Sequence, residues 1–344
     1  RFRVMSDLKI NNITDRTGSS GPVIAGVSTV TSTGAFTVPV GPTEMRGGRG
    51  RGVVLGGGTP SQTKNCQFIT IATTGNGTDF GDLSQAITSS AGCASATRSF
   101  SMGGDTAPSG GTNTTKIEYV VTSSKGGSSH FGDLTVARRY PGGVSDSTRG
   151  MANGGTSPTP GVNTNIIDYF TMASTGDASD FGDLMIKSTY RTGAGCQSPT
   201  RGFVAGGHPQ VSSLIEFYNI QSKGDSTKFG ELANGKSGVS AGSNTTRGIF
   251  AGGATPSNSN VIEYITMSTE GNATDFGDLT ITTVQYTGAG MYSATRGVHA
   301  GAYPSKNTIQ YITIATTGNA TDFGDLIEAR ASYAGSSDSH GGLG

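Results

Sequence analysis

The sequence predicts an all-β chain: a six-bladed β-propeller with four short antiparallel strands per blade, preceded by an extended N-terminal arm. Three observations carry this. A Phe-Gly-Asp-Leu motif begins at Phe80, Phe131, Phe181, Phe229, Phe276 and Phe323, with only Glu231 departing from the pattern, and its copies lie 51, 50, 48, 47 and 47 residues apart. A fixed period near fifty marks a repeat architecture before any propensity is consulted. Each copy also follows an aromatic residue by twelve positions (Phe68, Tyr119, Tyr169, Phe217, Tyr264, Tyr311) and a Gly pair that an Arg precedes by five: Arg51, Arg98, Arg149, Arg201, Arg247 and Arg296. The sixth pair departs to Gly301-Ala302. Two other distances vary. The Gly pair lies 9 to 15 residues before the aromatic, and the Phe lies 18 to 20 before the next Arg. Fixed spacing marks a constrained turn, and variable spacing marks a surface loop that tolerates insertion.

Composition narrows the class. Glycine is 56 of 344 residues and charged residues are 14%, the first more than double and the second about half the usual share. The glycines recur at fixed offsets between apolar runs, which argues for turns rather than disorder. A net charge of zero argues against nucleic-acid binding and against attachment to an anionic membrane. No apolar run approaches the ~20 residues needed to span a bilayer. The start Arg1-Phe2-Arg3-Val4 leads into no apolar stretch of the signal-peptide kind, and Met5 is the expected original start. Cys66, Cys93 and Cys196 read as buried free thiols; Cys93 and Cys196 stand in non-neighbouring repeats, too far apart for a disulfide.

Residues 1–46 lie outside the repeat. Ser6 to Thr14 alternates weakly, Asp15 to Gly21 is turn material, and Phe36-Thr37-Val38 is a short strand that Pro39 interrupts. This arm is too poor in apolar residues to fold alone, so it is expected to pack on the propeller or to mediate attachment to a partner chain. Arg46 to Gly52 reads as a hinge into the first repeat rather than an RNA-binding Gly-Arg segment. The propeller then occupies residues 47–344.

Within repeat one, Val53-Val54-Leu55 is a short apolar run closed by glycines, a buried strand B. Ile69-Thr70-Ile71 belongs to an alternating strand C. Thr74-Gly75-Asn76-Gly77-Thr78-Asp79 reads as a tight turn, with a Gly-Asn pair to supply positive φ. Phe80 opens strand D. Ala91-Gly92-Cys93-Ala94 is the strand A of the next blade, and Ser95-Ala96-Thr97 turns it toward Arg98. The A–B and C–D turns are constant; the B–C and D–A loops vary. Repeat one lacks its own strand A, and Tyr333-Ala334-Gly335-Ser336-Ser337 after the last strand D is expected to supply it and close the ring.

Apolar run, Gly pair, spaced aromatic, then an aromatic and Leu on strand D: this pattern resembles the kelch motif across residues 51–337, with Phe where kelch repeats commonly carry Trp. Ile10 to Pro22, the Gly47 to Gly52 run and the Thr-Gly-Asn-x-Thr-Asp-Phe-Gly-Asp-Leu repeats also look like virion structural proteins of marine contractile-tailed phages, especially those infecting cyanobacteria. That resemblance implies a tail-fibre-like or other surface component of the phage particle.

Candidate chemistry is sparse. Asp79-Phe80-Gly81-Asp82 spells a kinase metal-binding motif, but it recurs without a phosphate loop or catalytic-loop partner. The repeated Arg98, Arg149, Arg201, Arg247 and Arg296, and the motif acids Asp82, Asp133, Asp183, Glu231, Asp278 and Asp325, read as structural. They are expected to bond turn backbone or each other. A six-bladed ring with Arg suggests a sialidase, but one Arg per blade is the wrong number. The kelch resemblance raises a galactose-oxidase-like copper site, but His130, His208, His299 and His340 lack ligand spacing. Neither a cofactor nor a metal is expected. The sequons at Asn76, Asn272 and Asn319 are explained by the C–D turn.

The variable loops gather at one end of the disc. Tyr140, Tyr190, Tyr286 and Tyr333 stand nine or ten residues after their Phe in D–A loops, and His208 and Tyr303 stand in B–C loops. Rings that present a hydroxyl suit recognition of sugar or protein, while packing beneath the D–A loop is the structural alternative. The expected function is that of a non-enzymatic virion protein. It would bind a host-surface glycan or another virion protein through this face, with the arm joining it to the particle or to its own copies. The alternative is a polysaccharide-degrading, glycosidase-like propeller, which would need a carboxylate pair on pore-facing strands.

Overall fold

The computed structural model describes residues 50–339, apart from 59–60, 107–111, 159–161, 188–195, 209–210, 256 and 284–289. The arm expected over residues 1–46 lies outside the described residues, as do Tyr190 and Tyr286. Among the described residues every regular element is a β-strand, and the strands form six antiparallel sheets arranged as a six-bladed β-propeller.

Strands A to D of blade 2 are Ala91–Ala94, Arg98–Met102, Lys116–Val121 and Ser129–Asp133. Blade 3 has Gly142–Ser145, Arg149–Thr156, Asn163–Thr171 and Ser179–Asp183. Blade 4 has Cys196–Gln197, Arg201–Ala205, Leu214–Asn219 and Thr227–Glu231. Blade 5 has Ser240–Ser243, Arg247–Ala251, Ser257–Thr266 and Thr274–Thr283, with one extra two-residue strand, Ala254–Thr255, beside strand C. Blade 6 has Met291–Tyr292, Arg296–Ala302, Lys306–Thr313 and Thr321–Arg330.

Blade 1 is made from both ends of the propeller sequence. Arg51–Leu55, Asn65–Thr70 and Thr78–Asp82 supply its strands B to D, and Ala334–Ser337 supplies strand A. Gly52 pairs with Ser337 and Leu55 with Ala334, which is the closure the sequence predicts. The cap of the A–B turn is reproduced across the break. Ser95, Asp146, Ser198, Asn244 and Ser293 each accept the amide of the repeated Arg that begins strand B. In blade 1 Asp338 Oδ1 does this from the far end of the chain, accepting from Gly50 and Arg51 at 2.8 and 2.9 Å.

The apolar core lies between blades, in six clusters, one per junction. Between blades 2 and 3, Phe100, Phe131 and Phe170 meet with centroids 5.1 to 5.2 Å apart. Each motif Phe is buried and lies edge-on to the aromatic of its own strand C, as Phe323 does to Tyr311 at 6.0 Å. Burying one such ring contributes roughly 1.5–3 kcal/mol, and the repeat collects this six times. The three cysteines are buried free thiols, and burial pushes the Cys66 thiol up to about 12.

Candidate functional site

The repeated motif stitches each blade to the next. The expected tight C–D turn is a longer crossing, and its constancy comes from a neighbour. Gly126 and Ser128 of blade 2 donate their amides to Phe80 O and Asp82 O of blade 1 at 2.9 and 2.8 Å. The pattern continues round the ring to Gly75 and Gly77, which donate to Phe323 O and Asp325 O at 2.8 and 2.7 Å. The motif Gly is required here. Gly81 has φ +144°, and a Cβ on it would stand 2.3 Å from Gly126 O.

The residue after the loop Gly completes the stitch. The side chains of Asp177, Asp225, Asn272, Asn319 and Asn76 accept the amides of Asp133, Asp183, Glu231, Asp278 and Asp325 at 2.9 to 3.1 Å. Gly127 occupies this position in blade 2. The sequon asparagines therefore serve as interblade caps. The motif carboxylates themselves pair within their blades: Asp82 with Lys64, Asp133 with Thr115 and Glu231 with Lys228, which holds the Glu231 carboxyl below its ordinary value.

The repeated Arg residues bond turn backbone, one of the two outcomes expected. Each guanidinium lies over the strand-C aromatic of its own blade, 4.6 to 5.0 Å from the ring centre. Each then donates to a carbonyl at the end of strand C in the next blade. Arg98 reaches Met172 O at 2.8 Å, Arg149 Ile220 O at 2.8 Å, Arg247 Ile314 O at 2.8 Å and Arg296 Ala72 O at 2.9 Å.

Two further devices escaped the sequence reading. The residue before each strand-C aromatic is a buried Gln, Glu or Asp: Gln67, Glu118, Asp168, Glu216, Glu263 and Gln310. Five of them accept the amide four residues after the previous blade's motif Phe, as Gln67 does from Ile327 at 2.9 Å and Gln310 from Thr280 at 2.7 Å. Glu118 instead accepts from the Ser84 hydroxyl. The recurrence of an acid or amide before the aromatic was the available signal. Seven residues after the motif Phe, alternate loops bury a cation against the next blade. Arg138 meets Asp168 at 2.9 Å, Lys236 meets Glu263 at 2.5 Å, and Arg330 donates to Gly56 O and Asn65 O.

The tyrosines expected to form a binding face divide. Tyr333 is fully buried and donates to Ala300 O, so the expectation that it presents a ring to a ligand is corrected: it is core at the junction of blades 6 and 1. Tyr140 is half-buried, held at φ 56° with its amide bonded to Ser89 O and Arg139 over its ring. Tyr303 is half exposed and His208 is exposed, both on B–C loops, joined on that end by exposed Val162 and Val211.

The axis is lined by strand A of every blade, through residues such as Gly92, Gly143, Gln197, Ser243, Tyr292 and Ser337, and encloses about 30 Å³, room for one or two waters. Among the described residues no carboxylate and no histidine lines it. His130, His208 and His299 share no ligand cluster, and His340 lies outside the described residues. His299 is buried, with Nδ1 2.9 Å from Ser240 Oγ and Nε2 2.8 Å from Tyr292 Oη, and burial lowers its pKa to about 4. Among the described residues no His/Cys/Asp/Glu cluster has the geometry to hold a metal ion. No protein-family model and no curated protein matches the chain.

Proposed function

We propose that this chain is a non-enzymatic structural protein of a phage particle, a kelch-like, tail-fibre-like or surface component. It binds a host-surface glycan or another virion protein through its B–C/D–A face. One observation carries the reading. The A–B/C–D end of the ring is spent on the stitch that joins blades, whereas the opposite end varies in loop length and exposes Tyr303, Val162 and Val211 about half their area each. Exposed aromatic and aliphatic side chains on loops return no core burial and suit recognition. Glycoside hydrolysis uses two carboxylates flanking the sugar, and the axial strands offer Gly, Ser, Gln and Tyr there, which favours binding over cleavage. The resemblance of the Thr-Gly-Asn-x-Thr-Asp-Phe-Gly-Asp-Leu repeats to virion proteins supports a particle location, with residues 1–46 as the attachment arm or an oligomerisation segment.

The test is adsorption to host cells, or binding on a glycan array, by a Tyr303→Ser/Val211→Ser variant. The expected result is at least tenfold weaker binding with unchanged melting. Undiminished binding by the folded variant, or loss of binding only when the C–D turns at Asn272 and Asn319 are altered, would overturn the choice of face.

A further inference from the structure

The six-fold repeat supplies five internal controls for each position, and one junction departs from them. Arg51, Arg98, Arg149, Arg247 and Arg296 each reach a carbonyl of the next blade at 2.8 to 3.0 Å. Arg201 reaches Met267 O only at 3.4 Å, beyond the usual range for such a bond. Beside it, between blades 4 and 5 on the A–B/C–D end, a groove of about 390 Å³ opens, within the size range of small-molecule sites.

Five hydroxyl side chains line this groove, with Pro199 and Met267 supplying an apolar part of its wall. Ser198 and Thr200 come from the A–B turn of blade 4, Thr245 and Thr246 from that of blade 5, and Ser268 from the end of strand C. At the preceding junction the matching space is bridged by Gln221, whose amide donates to Asp146 and Thr148. At the other five junctions this position holds Ala72, Ser123, Ala173, Ser268 and Ala315, all too short to bridge, so it is the loose Arg201 contact that sets the junction of blades 4 and 5 apart. The Arg201 guanidinium is half-buried on the Phe217 ring at 5.0 Å, which fixes its plane.

A planar guanidinium with spare donors recognises a carboxylate through two parallel hydrogen bonds. A ring of Ser and Thr hydroxyls both donates and accepts, and so matches a polyol. We propose that the groove at the junction of blades 4 and 5 binds a carboxylate-bearing sugar residue, with Arg201 on the carboxylate and the Ser/Thr walls on the ring hydroxyls. This site is separate from the B–C/D–A face and does not depend on the reading of that face.

The experiment titrates the full chain with glucuronate, followed by chemical-shift or calorimetric change, alongside glucose and acetate. The site predicts saturable binding of glucuronate at least tenfold tighter than of either fragment. Arg201→Gln abolishes it, while Arg98→Gln, which removes a shorter and stronger strut from another junction and so costs the fold no less, leaves it intact. Thr246→Val, which keeps the shape of the wall, weakens it severalfold. Absence of saturable glucuronate binding, equal binding of glucose, or equal loss in Arg98→Gln and Arg201→Gln would each overturn the proposal.

Discussion

At the residue scale, the buried ionisable groups make the sharpest statements. Arg138 and Asp168 are both fully inaccessible and 2.9 Å apart. Breaking such a pair leaves an uncompensated buried charge, at a cost of about 3–5 kcal/mol, whereas replacing both partners with apolar residues is often neutral. Asp168→Ala should therefore lower unfolding free energy by about that amount in urea titration, and Arg138→Met/Asp168→Leu should recover most of it. His299 gives a pH dependence with a definite sign. Its folded pKa of about 4 lies below the ordinary 6.5. Above 6.5 it is neutral in both states and costs nothing. Between 6.5 and 4 the unfolded chain takes up a proton that the folded one refuses, so stability falls as pH falls, by up to about 3 kcal/mol. The groups that face the ring are the Ser240 and Tyr292 hydroxyls. His299→Gln should flatten that window of the stability profile; an unchanged slope would show that other groups cause it.

At the element scale the stitch explains what was legible in the sequence. The Phe-Gly-Asp-Leu copies, the Gly pairs and the Arg spacings revealed the blade count, strand order and closure, because each repeat meets the same neighbour under the same constraint. The partner of each constraint was not legible. The constant length of the C–D connection was read as a tight turn, yet its cause is a carbonyl and an amide on the previous blade. Tyr333 was misread for a related reason. The tyrosines nine and ten residues after the Phe were treated alike, but the two positions differ in backbone conformation and so in the direction of the side chain. At nine residues the chain is left-handed, at Ser89, Tyr140, Gly238 and Ser332. At ten, Tyr333 points into the core. The stitch also predicts a graded pair of variants. Asn319→Ala removes one cap on the Asp278 amide and should cost about 1 kcal/mol. Gly277→Ala places a Cβ 2.5 Å from Gly318 O at φ +144°, and should destabilise far more, by several kcal/mol in the same denaturant assay. Equal effects would remove the steric argument for the motif glycine.

At the scale of the whole molecule, the described residues form a ring whose junctions share one plan, including the junction between its first and last strands. Arg296 crosses to Ala72, Asn76 caps Asp325, and Gly75 donates to Phe323 O, all between blade 6 and blade 1. The open edges of an unclosed propeller would be liabilities for splitting and for pairing with other chains. Residues 1–46 lie outside the sequence repeat and carry the attachment role proposed above. Their removal should leave melting unchanged while abolishing incorporation into the particle or oligomer; incorporation by the shortened chain would count against the attachment role.

The closure itself is the claim on which the rest depends, and deletion of residues 333–344 tests it most directly. The deletion removes strand A of blade 1, the Tyr333 ring buried between blades 6 and 1, and the Asp338 cap on Arg51. Loss of one buried aromatic and one strand amounts to several kcal/mol, and calorimetry of the truncated chain should show melting lowered by about 10 °C or more, with a shift toward self-association. A truncated chain that melts with the full-length protein and stays monomeric would contradict a ring closed by its C-terminal strand.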